Sequence, residues 1–133
     1  MNHVVLVEDD RHNAILFRKL FEKRLHCTVQ LTESPDELLA RLRAGGVDLV
    51  VMDVSLRGSE WNGQPVSGVA LCRMIKDDPT LAHVPVLLAT AHAMRGDAER
   101  LLAESGADSY IAKPVVDHDL FVSQARALME KAA

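Results

Sequence analysis

Five short runs of β-branched and aliphatic residues, each followed by a longer segment with helical spacing, constrain the fold of this chain most strongly. Central runs such as Leu49-Val50-Val51-Met52 are apolar without alternation, as in strands that are covered on both faces. Five βα units in sequence predict an α/β fold with a doubly wound, five-stranded parallel sheet, five helices and right-handed crossovers. The five predicted strands are Val4–Val7, Thr28–Leu31, Leu49–Met52, Val86–Ala89 and Ser109–Ala112.

The segments between the predicted strands have apolar residues three and four positions apart, which is the pattern of a helix with one buried face. The second helix has the clearest boundaries. Ser34 is its predicted N-cap, Pro35 occupies the first helical position, and Glu37 is spaced for a capping box. Gly45 and Gly46 are predicted to end this helix. The apolar markers of the other helices are Phe17, Leu20 and Phe21, then Leu71, Met74 and Ile75, then Ala98, Leu101 and Leu102, and finally Phe121, Ala125 and Leu128.

Length and composition narrow the class of protein. The 133 residues suit one domain, predicted to span residues 1–133 with no room for an appended output domain. A net charge of -4 argues against direct nucleic-acid binding. Cys27 and Cys72 lack metal-ligand spacing and are predicted to be small buried apolar residues. Neither a secretory signal nor a membrane-spanning stretch is visible, so we expect a cytoplasmic protein that does not insert into a membrane.

The candidate site residues, which are acids, a hydroxyl and a lysine, follow the first, third, fourth and fifth predicted strands. The first strand is followed by Glu8-Asp9-Asp10, the third by Asp53, the fourth by Thr90 and the fifth by Lys113. Parallel α/β sheets bind ligands beyond the carboxyl ends of their strands, so these side chains are expected to converge. Carboxylates about 4 Å apart repel by roughly 4 kcal/mol per pair at an effective dielectric of 20. One lysine offsets only part of this repulsion, and a hard divalent cation such as Mg²⁺ fits the oxygen ligands.

Acidic ligands, Mg²⁺, a lysine and a threonine hydroxyl together have the parts needed for phosphoryl transfer. The metal and the ammonium group neutralise phosphoryl oxygens, the hydroxyl donates a hydrogen bond, and a carboxylate is the nucleophile. The alternative interpretation is that Glu8, Asp9 and Asp10 only cap the first helix and interact with its positive end. For Asp10 the capping interpretation is favoured, whereas Asp53 at a strand end is ambiguous when taken alone.

Four motifs of the chain resemble those of the response-regulator receiver family of two-component signalling. They are Val4-Val5-Leu6-Val7-Glu8-Asp9-Asp10, Leu49-Val50-Val51-Met52-Asp53, Pro85-Val86-Leu87-Leu88-Ala89-Thr90-Ala91 and Tyr110-Ile111-Ala112-Lys113-Pro114. The resemblance covers essentially the whole chain and implies a flavodoxin-like strand order of 2-1-3-4-5. It also implies a phosphoacceptor module that receives a phosphoryl group from a sensor histidine kinase or a histidine phosphotransfer protein. Such a module acts on a downstream target protein or relays the phosphoryl group, and it can form a homodimer.

The resemblance also implies a set of metal ligands. Asp53 would be the phosphoacceptor, and its carboxylate and that of Asp9 would bind Mg²⁺ directly. Glu8 would act mainly through water, and the backbone carbonyl of Ser55 would supply a further oxygen ligand.

The remaining implied roles concern catalysis and switching. Lys113 would pair first with Asp53 and then with the phosphoryl group, and the peptide bond before Pro114 would be cis. Thr90 would move toward the phosphoryl oxygens after transfer, and Tyr110 would be the aromatic switch. Added charge and acceptor oxygens at one point also predict rearrangement of the surface formed by the fourth helix, fifth strand and fifth helix.

The segment after Asp53 departs from the family pattern. Arg57 stands where many receivers have a proline, and residues 58–65 make the connection longer than is usual for a βα loop. Trp61, the only tryptophan, lies in this loop. It either packs on the loop itself, or it shapes access to Asp53 or docks a kinase or target. Two positions beyond Thr90, His92 either orients water near the phosphoryl group or is a solvated polar residue.

Other functions are compatible with parts of this pattern. A small Mg²⁺-dependent aspartyl-phosphate phosphatase or phosphotransferase would use the same nucleophile, metal, threonine and lysine. Enzymes resembling the haloacid-dehalogenase family usually carry a second acid two residues after the nucleophile, where this chain has Ser55. A pseudo-receiver that only binds a partner is disfavoured by the complete set of acids, threonine and lysine, and a flavodoxin-like cofactor carrier by the acidic first loop. The pattern therefore favours a signalling module that catalyses only its own phosphorylation and dephosphorylation.

Overall fold

The computed structural model describes residues 2–54, 60, 61, 64, 65, 67–91 and 97–132. Within them the chain forms seven strands and five helices. The strands are β1 His3–Val7, β2 Thr28–Thr32, β3 Leu49–Asp53, β4 Glu60–Trp61, β5 Gln64–Pro65, β6 Val86–Thr90 and β7 Ser109–Ala112. The helices are α1 Arg11–Arg24, α2 Pro35–Arg43, α3 Gly68–Asp77, α4 Asp97–Ser105 and α5 His118–Ala132.

The main sheet has five parallel strands in the order β2-β1-β3-β6-β7. Counted along the chain, the strands of this sheet have the order 2-1-3-4-5, so the predicted doubly wound fold is confirmed. The other two strands, β4 and β5, form a small antiparallel hairpin inside the long connection between β3 and α3. A long loop was predicted there from the sequence, and this hairpin was not.

Each face of the sheet has its own hydrophobic core, which explains why the central strands lack alternation. On one face α1 and α5 pack over alternate residues of β1, β3 and β6. There the Phe121 ring lies 5.2 Å from the Phe17 ring and 5.3 Å from the Phe21 ring, measured between centroids. On the other face α2 and α3 cover the alternate residues of the same strands. Every residue of β3 is therefore buried.

The start of α2 differs in one detail from the predicted capping box. Ser34 is the N-cap, and its hydroxyl accepts the N–H of Glu37 at 3.2 Å, as predicted. The Glu37 carboxylate, however, accepts a hydrogen bond from the Thr32 hydroxyl at 2.7 Å instead of one from the Ser34 N–H. The Thr32 hydroxyl oxygen in turn accepts the Ser34 N–H at 3.0 Å. The predicted reciprocal box is wrong because Thr32, at the end of β2, lies between its two members.

Helix α4 is held to α3 by an arginine. The Arg73 guanidinium donates to the Glu104 carbonyl at 2.8 Å and to the Ala103 carbonyl at 2.7 Å. These carbonyls belong to the last turn of α4, where helical hydrogen-bond partners are missing and a cation is favoured. The last turn of α4 has no basic residue of its own. Arg73 therefore supplies from α3 the capping interaction that α4 lacks.

Both cysteines are free and buried, as predicted. Burial raises the pKa of Cys27, and it raises the pKa of Cys72 to about 11. Both thiols are therefore protonated at neutral pH. None of the helices in the described part of the chain has the length and apolar character required to cross a bilayer.

Candidate functional site

The predicted site residues lie at the carboxyl edge of the sheet. Asp53 is the last residue of β3, and Thr90 is the last residue of β6. Glu8 follows β1 directly, and Lys113 follows β7 directly. Since β1, β3, β6 and β7 are neighbouring parallel strands, their ends bring these four residues to one edge.

Three carboxylates form a compact cluster at this edge. Glu8, Asp9 and Asp53 can each present a carboxylate oxygen such that the three atoms lie within 4.8 Å of one another. Glu8 and Asp53 are only 2% exposed, and Asp9 is half-buried. At such separations two carboxylates repel by about 3 kcal/mol at an effective dielectric of 20. The cluster therefore requires compensating positive charge or a bound proton.

Lys113 supplies part of that compensation. Its Nζ lies 2.8 Å from Asp53 Oδ1 and 3.3 Å from Glu8 Oε1, and its side chain is only 10% exposed. Its backbone N–H donates to the Thr90 carbonyl at 2.8 Å, which fixes the lysine backbone to the end of β6. The peptide bond between Lys113 and Pro114 is cis, as expected. The ammonium group thus contacts both buried acids.

The electrostatics of the cluster shift two pKa values. Burial, followed by the hydrogen bond and the charge of Asp53, raises the pKa of Glu8 to about 7. Burial lowers the pKa of Lys113, but the hydrogen bonds and charges of Asp53 and Glu8 outweigh that effect and raise it above its ordinary value. Glu8 therefore holds a proton over much of the acidic pH range, while Lys113 stays charged.

Asp10 has the structural role that the sequence favoured. Its carboxylate is the N-cap of α1 and accepts the N–H groups of His12 at 2.9 Å and Asn13 at 3.1 Å. The Asp10 N–H donates to Glu8 Oε2 at 3.2 Å, which helps to orient the buried Glu8. Of the three consecutive acids, Glu8 and Asp9 belong to the carboxylate cluster and Asp10 to the helix start.

The donor chemistry of the cluster fits a hard divalent cation. Its ligands are all carboxylate oxygens, which suit Mg²⁺ and Ca²⁺ and not the softer transition metals. A divalent charge would add to the compensation that Lys113 gives the buried acids.

Several residues singled out in the sequence lie outside the described residues: Ser55, Arg57, His92 and the side chain of Trp61.

Thr90 and Tyr110 lie on neighbouring strands near the site. Thr90 pairs with Ala112 and Leu88 with Tyr110, so the predicted switch residues are offset by two positions. Thr90 is 1% exposed, whereas Tyr110 is half-buried on the edge strand β7 and packs against the core under α2 and α3. Strand alternation assigns both to the same face of the sheet.

Gly68 is a feature of the site that the sequence analysis missed. It is buried and begins α3, and its Cα lies directly against the backbone carbonyl of Asp53. In the sequence, Gly68 stands at the start of a helical pattern, and nothing distinguishes it from an ordinary loop glycine.

Comparisons with known proteins agree with this geometry. Residues 4–125 match the family model described as the response regulator receiver domain. The polar-differentiation response regulator DivK of Brucella ovis is 39% identical over 112 residues, which are 84% of either chain. The DivK protein of Brucella anthropi is 38% identical over a stretch of the same length.

Solved structures share the fold. One is the receiver domain of a sensor histidine kinase from Pseudomonas aeruginosa with magnesium coordinated in its active-site cleft. It has a TM-score of 0.79 at 22% identity and covers 97% of this chain and 98% of its own. A receiver domain of a histidine kinase from Syntrophus aciditrophicus has a TM-score of 0.80 at 25% identity, with 98% and 92% covered. A match over nearly the whole length, together with this sheet order, shows that the chain belongs to the response-regulator receiver domain family of two-component signalling.

Proposed function

We propose that this receiver accepts a phosphoryl group on Asp53 from a sensor histidine kinase or a histidine phosphotransfer protein. Phosphorylation then changes its binding to a downstream target protein. One observation carries the proposal: the Lys113 ammonium bridges the buried Asp53 and Glu8, at 2.8 and 3.3 Å, in a cluster that also contains Asp9. Two buried acids held beside one lysine are a costly arrangement if they serve stability alone.

In the transfer step an oxygen of the Asp53 carboxylate attacks the phosphorus of the phosphohistidine. A new O–P bond forms and the P–N bond to the donor imidazole breaks. The imidazole keeps the bonding electron pair and takes up a proton from solvent. Lys113, already hydrogen-bonded to Asp53, stays beside the new acyl phosphate and donates to a phosphoryl oxygen.

Four residues of this chain are proposed to hold Mg²⁺. Asp9 and Asp53 would bind the ion directly through their carboxylates, Glu8 mainly through water, and Ser55 through its backbone carbonyl. The receiver domain from Pseudomonas aeruginosa, which has magnesium coordinated in its active-site cleft, supports this choice of ion. When bound, the ion neutralises charge on the phosphoryl oxygens during transfer. The raised pKa of Glu8 means that this residue must lose its proton before its carboxylate can face a cation.

The proposed switch begins at Thr90 and ends at Tyr110. The Thr90 hydroxyl donates to a phosphoryl oxygen, and its movement gives the Tyr110 ring space to turn inward. Their shared sheet face and adjacent strands support this coupling. The surface formed by α4, β7 and α5 then changes shape for a target. We place the protein in the cytoplasm, where a kinase could reach it.

The proposed chemistry is confined to the protein's own modification. An aspartyl-phosphate phosphatase or phosphotransferase acting on external substrates is the alternative, but Ser55 occupies the position where such enzymes carry a general acid. Family membership also favours the signalling module.

Intact-mass measurement tests the proposal. The protein is incubated with Mg²⁺ and a small acyl phosphate or phosphoramidate, and the Asp53→Asn variant is treated identically. A single labile phosphorylation that the variant lacks is expected. Continued release of phosphate from many donors by the wild type would favour the enzyme instead.

A further inference from the structure

The first residue of α3 is in unusually close contact with the proposed phosphoacceptor. A Cβ atom built on Gly68 would lie 1.9 Å from the carbonyl oxygen of Asp53 and 2.8 Å from its carbonyl carbon. It would also lie 3.1 Å from Cγ of Met52. Because the atoms at 1.9 and 2.8 Å belong to the backbone of the buried strand β3, they cannot rotate away as a side chain could. Only glycine fits here unless the helix and the strand separate.

Backbone hydrogen bonds hold this contact in place. The Gly68 N–H donates to the Val54 carbonyl at 3.1 Å, and the Val54 N–H donates to the Ala89 carbonyl at 3.0 Å. The chain therefore leaves β3 and enters α3 at almost the same point. The N-cap of α3, Ser67, fixes the first turn by accepting the Ala70 N–H at 3.1 Å.

Other glycines of the chain serve a different purpose. Gly45 and Gly46 have φ angles of 83° and 79°, and a Cβ on either would meet nothing within 4 Å. They are required by backbone conformation in a turn, whereas Gly68 is required by the approach of another backbone. The chain thus contains a matched control for a glycine-to-alanine substitution.

We propose that Gly68 is a positioning residue for Asp53. By allowing α3 to begin in contact with the Asp53 carbonyl, it sets where the Asp53 carboxylate lies relative to Glu8, Asp9 and Lys113. The inference rests on the proposed role of Asp53 in metal binding and phosphoryl transfer.

The size of the expected effect follows from the contact. An ordinary Cβ contact is 3.4 Å or longer, so an alanine at this position forces the two backbones apart by more than 1 Å. A shift of this size in Asp53 would disrupt the 2.8 Å contact between Asp53 Oδ1 and Lys113 Nζ. A misplacement of about 1 Å at a reacting group can slow a reaction by roughly 100-fold.

The test compares Gly68→Ala with the control Gly46→Ala. Mg²⁺ affinity is measured by calorimetry, phosphorylation rate by intact mass with a small phosphodonor, and the Val54 amide shift by NMR. We expect Gly68→Ala to bind Mg²⁺ at least about 10-fold more weakly and to be phosphorylated about 10- to 100-fold more slowly, with a displaced Val54 signal. Gly46→Ala should lose stability through its φ angle but stay within about twofold of the wild type in both activities. A folded Gly68→Ala variant with wild-type Mg²⁺ affinity and rate would overturn the proposal.

A second variant covers the case in which Gly68→Ala does not fold. Ser67→Ala removes the cap and loosens the first turn of α3 without adding an atom against Asp53. The proposal requires its Mg²⁺ affinity to fall by about two- to fivefold, in line with a lost cap. Unchanged affinity would overturn it. If the wild type itself binds Mg²⁺ but is never phosphorylated, the proposed function fails, while the Mg²⁺ affinities still decide the role of Gly68.

Discussion

Replacing Glu8 with glutamine should stabilise the metal-free protein at neutral and alkaline pH while weakening its binding of Mg²⁺. Glu8 is 2% exposed, hydrogen-bonded to the Asp53 carboxyl and 3.3 Å from Lys113 Nζ. Glutamine has nearly the same shape and keeps an oxygen for Lys113, but it carries no negative charge to repel Asp53. The substitution therefore removes an electrostatic cost that the folded wild type bears once Glu8 ionises.

The magnitude follows from the pKa of Glu8. Folding raises this pKa from 4.5 to about 7, so the folded protein binds the proton more tightly than the unfolded chain. The resulting contribution to stability is fully present below the unfolded pKa of 4.5 and is lost as pH rises to about 7. At 1.36 kcal/mol per pKa unit the loss approaches about 3 kcal/mol. The stability advantage of Glu8→Gln should thus be near zero at low pH and about 3 kcal/mol at pH 8.

Urea unfolding in the presence of a chelator measures this difference between about pH 5 and pH 8. Subtracting the free energy of unfolding of the wild type from that of the variant at each pH removes the contributions of the ionisable groups that both proteins share. Glu130→Gln, at an exposed position of α5, is the matched control and should run parallel to the wild type. In saturating Mg²⁺ the wild type should become the more stable protein, because it binds the ion more tightly than Glu8→Gln and bound ligand stabilises the folded state. Wild-type and Glu8→Gln curves that stay parallel across this pH range would refute the reasoning.

Three further predictions follow from the same contacts. Lys113→Met should slow phosphorylation of Asp53 by about 100- to 1000-fold, the cost of losing one charge-stabilising donor, as measured by intact mass; a rate close to that of the wild type would contradict this role. Mg²⁺ affinity should rise by up to about tenfold per pH unit below pH 7 and level off above pH 7, because Glu8 must release its proton before the ion binds. Calorimetry in buffers of different ionisation enthalpy counts the released proton. A Mg²⁺ affinity that does not depend on pH would argue against this role of Glu8. Arg73→Gln should speed amide exchange in the last turn of α4 by about 10- to 150-fold, since a charged hydrogen bond contributes about 1.5 to 3 kcal/mol. Exchange identical to that of the wild type would show that Arg73 does not hold the helix.

The fold and the location of the site were predictable because both depend on patterns that repeat along the chain. Apolar runs such as Leu49–Met52 identify strands buried on both faces, and their alternation with helices leaves few topologies. Parallel strands all end at one edge, so Asp53, Thr90 and Lys113 could be grouped before any distance was known. The contact of Lys113 with Asp53 confirms that grouping.

Details that depend on contacts between distant or competing groups were not predictable. Thr32 replaces one half of the predicted capping box because its hydroxyl accepts the Ser34 N–H and donates to the Glu37 carboxylate. Position 68 requires glycine because of the backbone carbonyl of Asp53, which lies at the end of β3, fifteen residues earlier in the chain. The raised pKa of Glu8 likewise depends on how deeply the fold buries it beside Asp53. Local sequence contains none of this information.

Chemical trapping of the modified residue tests the central claim most directly. The protein is phosphorylated from a phosphohistidine donor in Mg²⁺ and reduced with borohydride, which converts an aspartyl phosphate to homoserine, and peptides are then sequenced by mass spectrometry. We expect homoserine at position 53 alone, and none in protein treated without Mg²⁺ or in the Asp53→Asn variant. Homoserine at another aspartate, or full transfer of phosphate with none at position 53, would contradict the assignment of Asp53 as the phosphoacceptor.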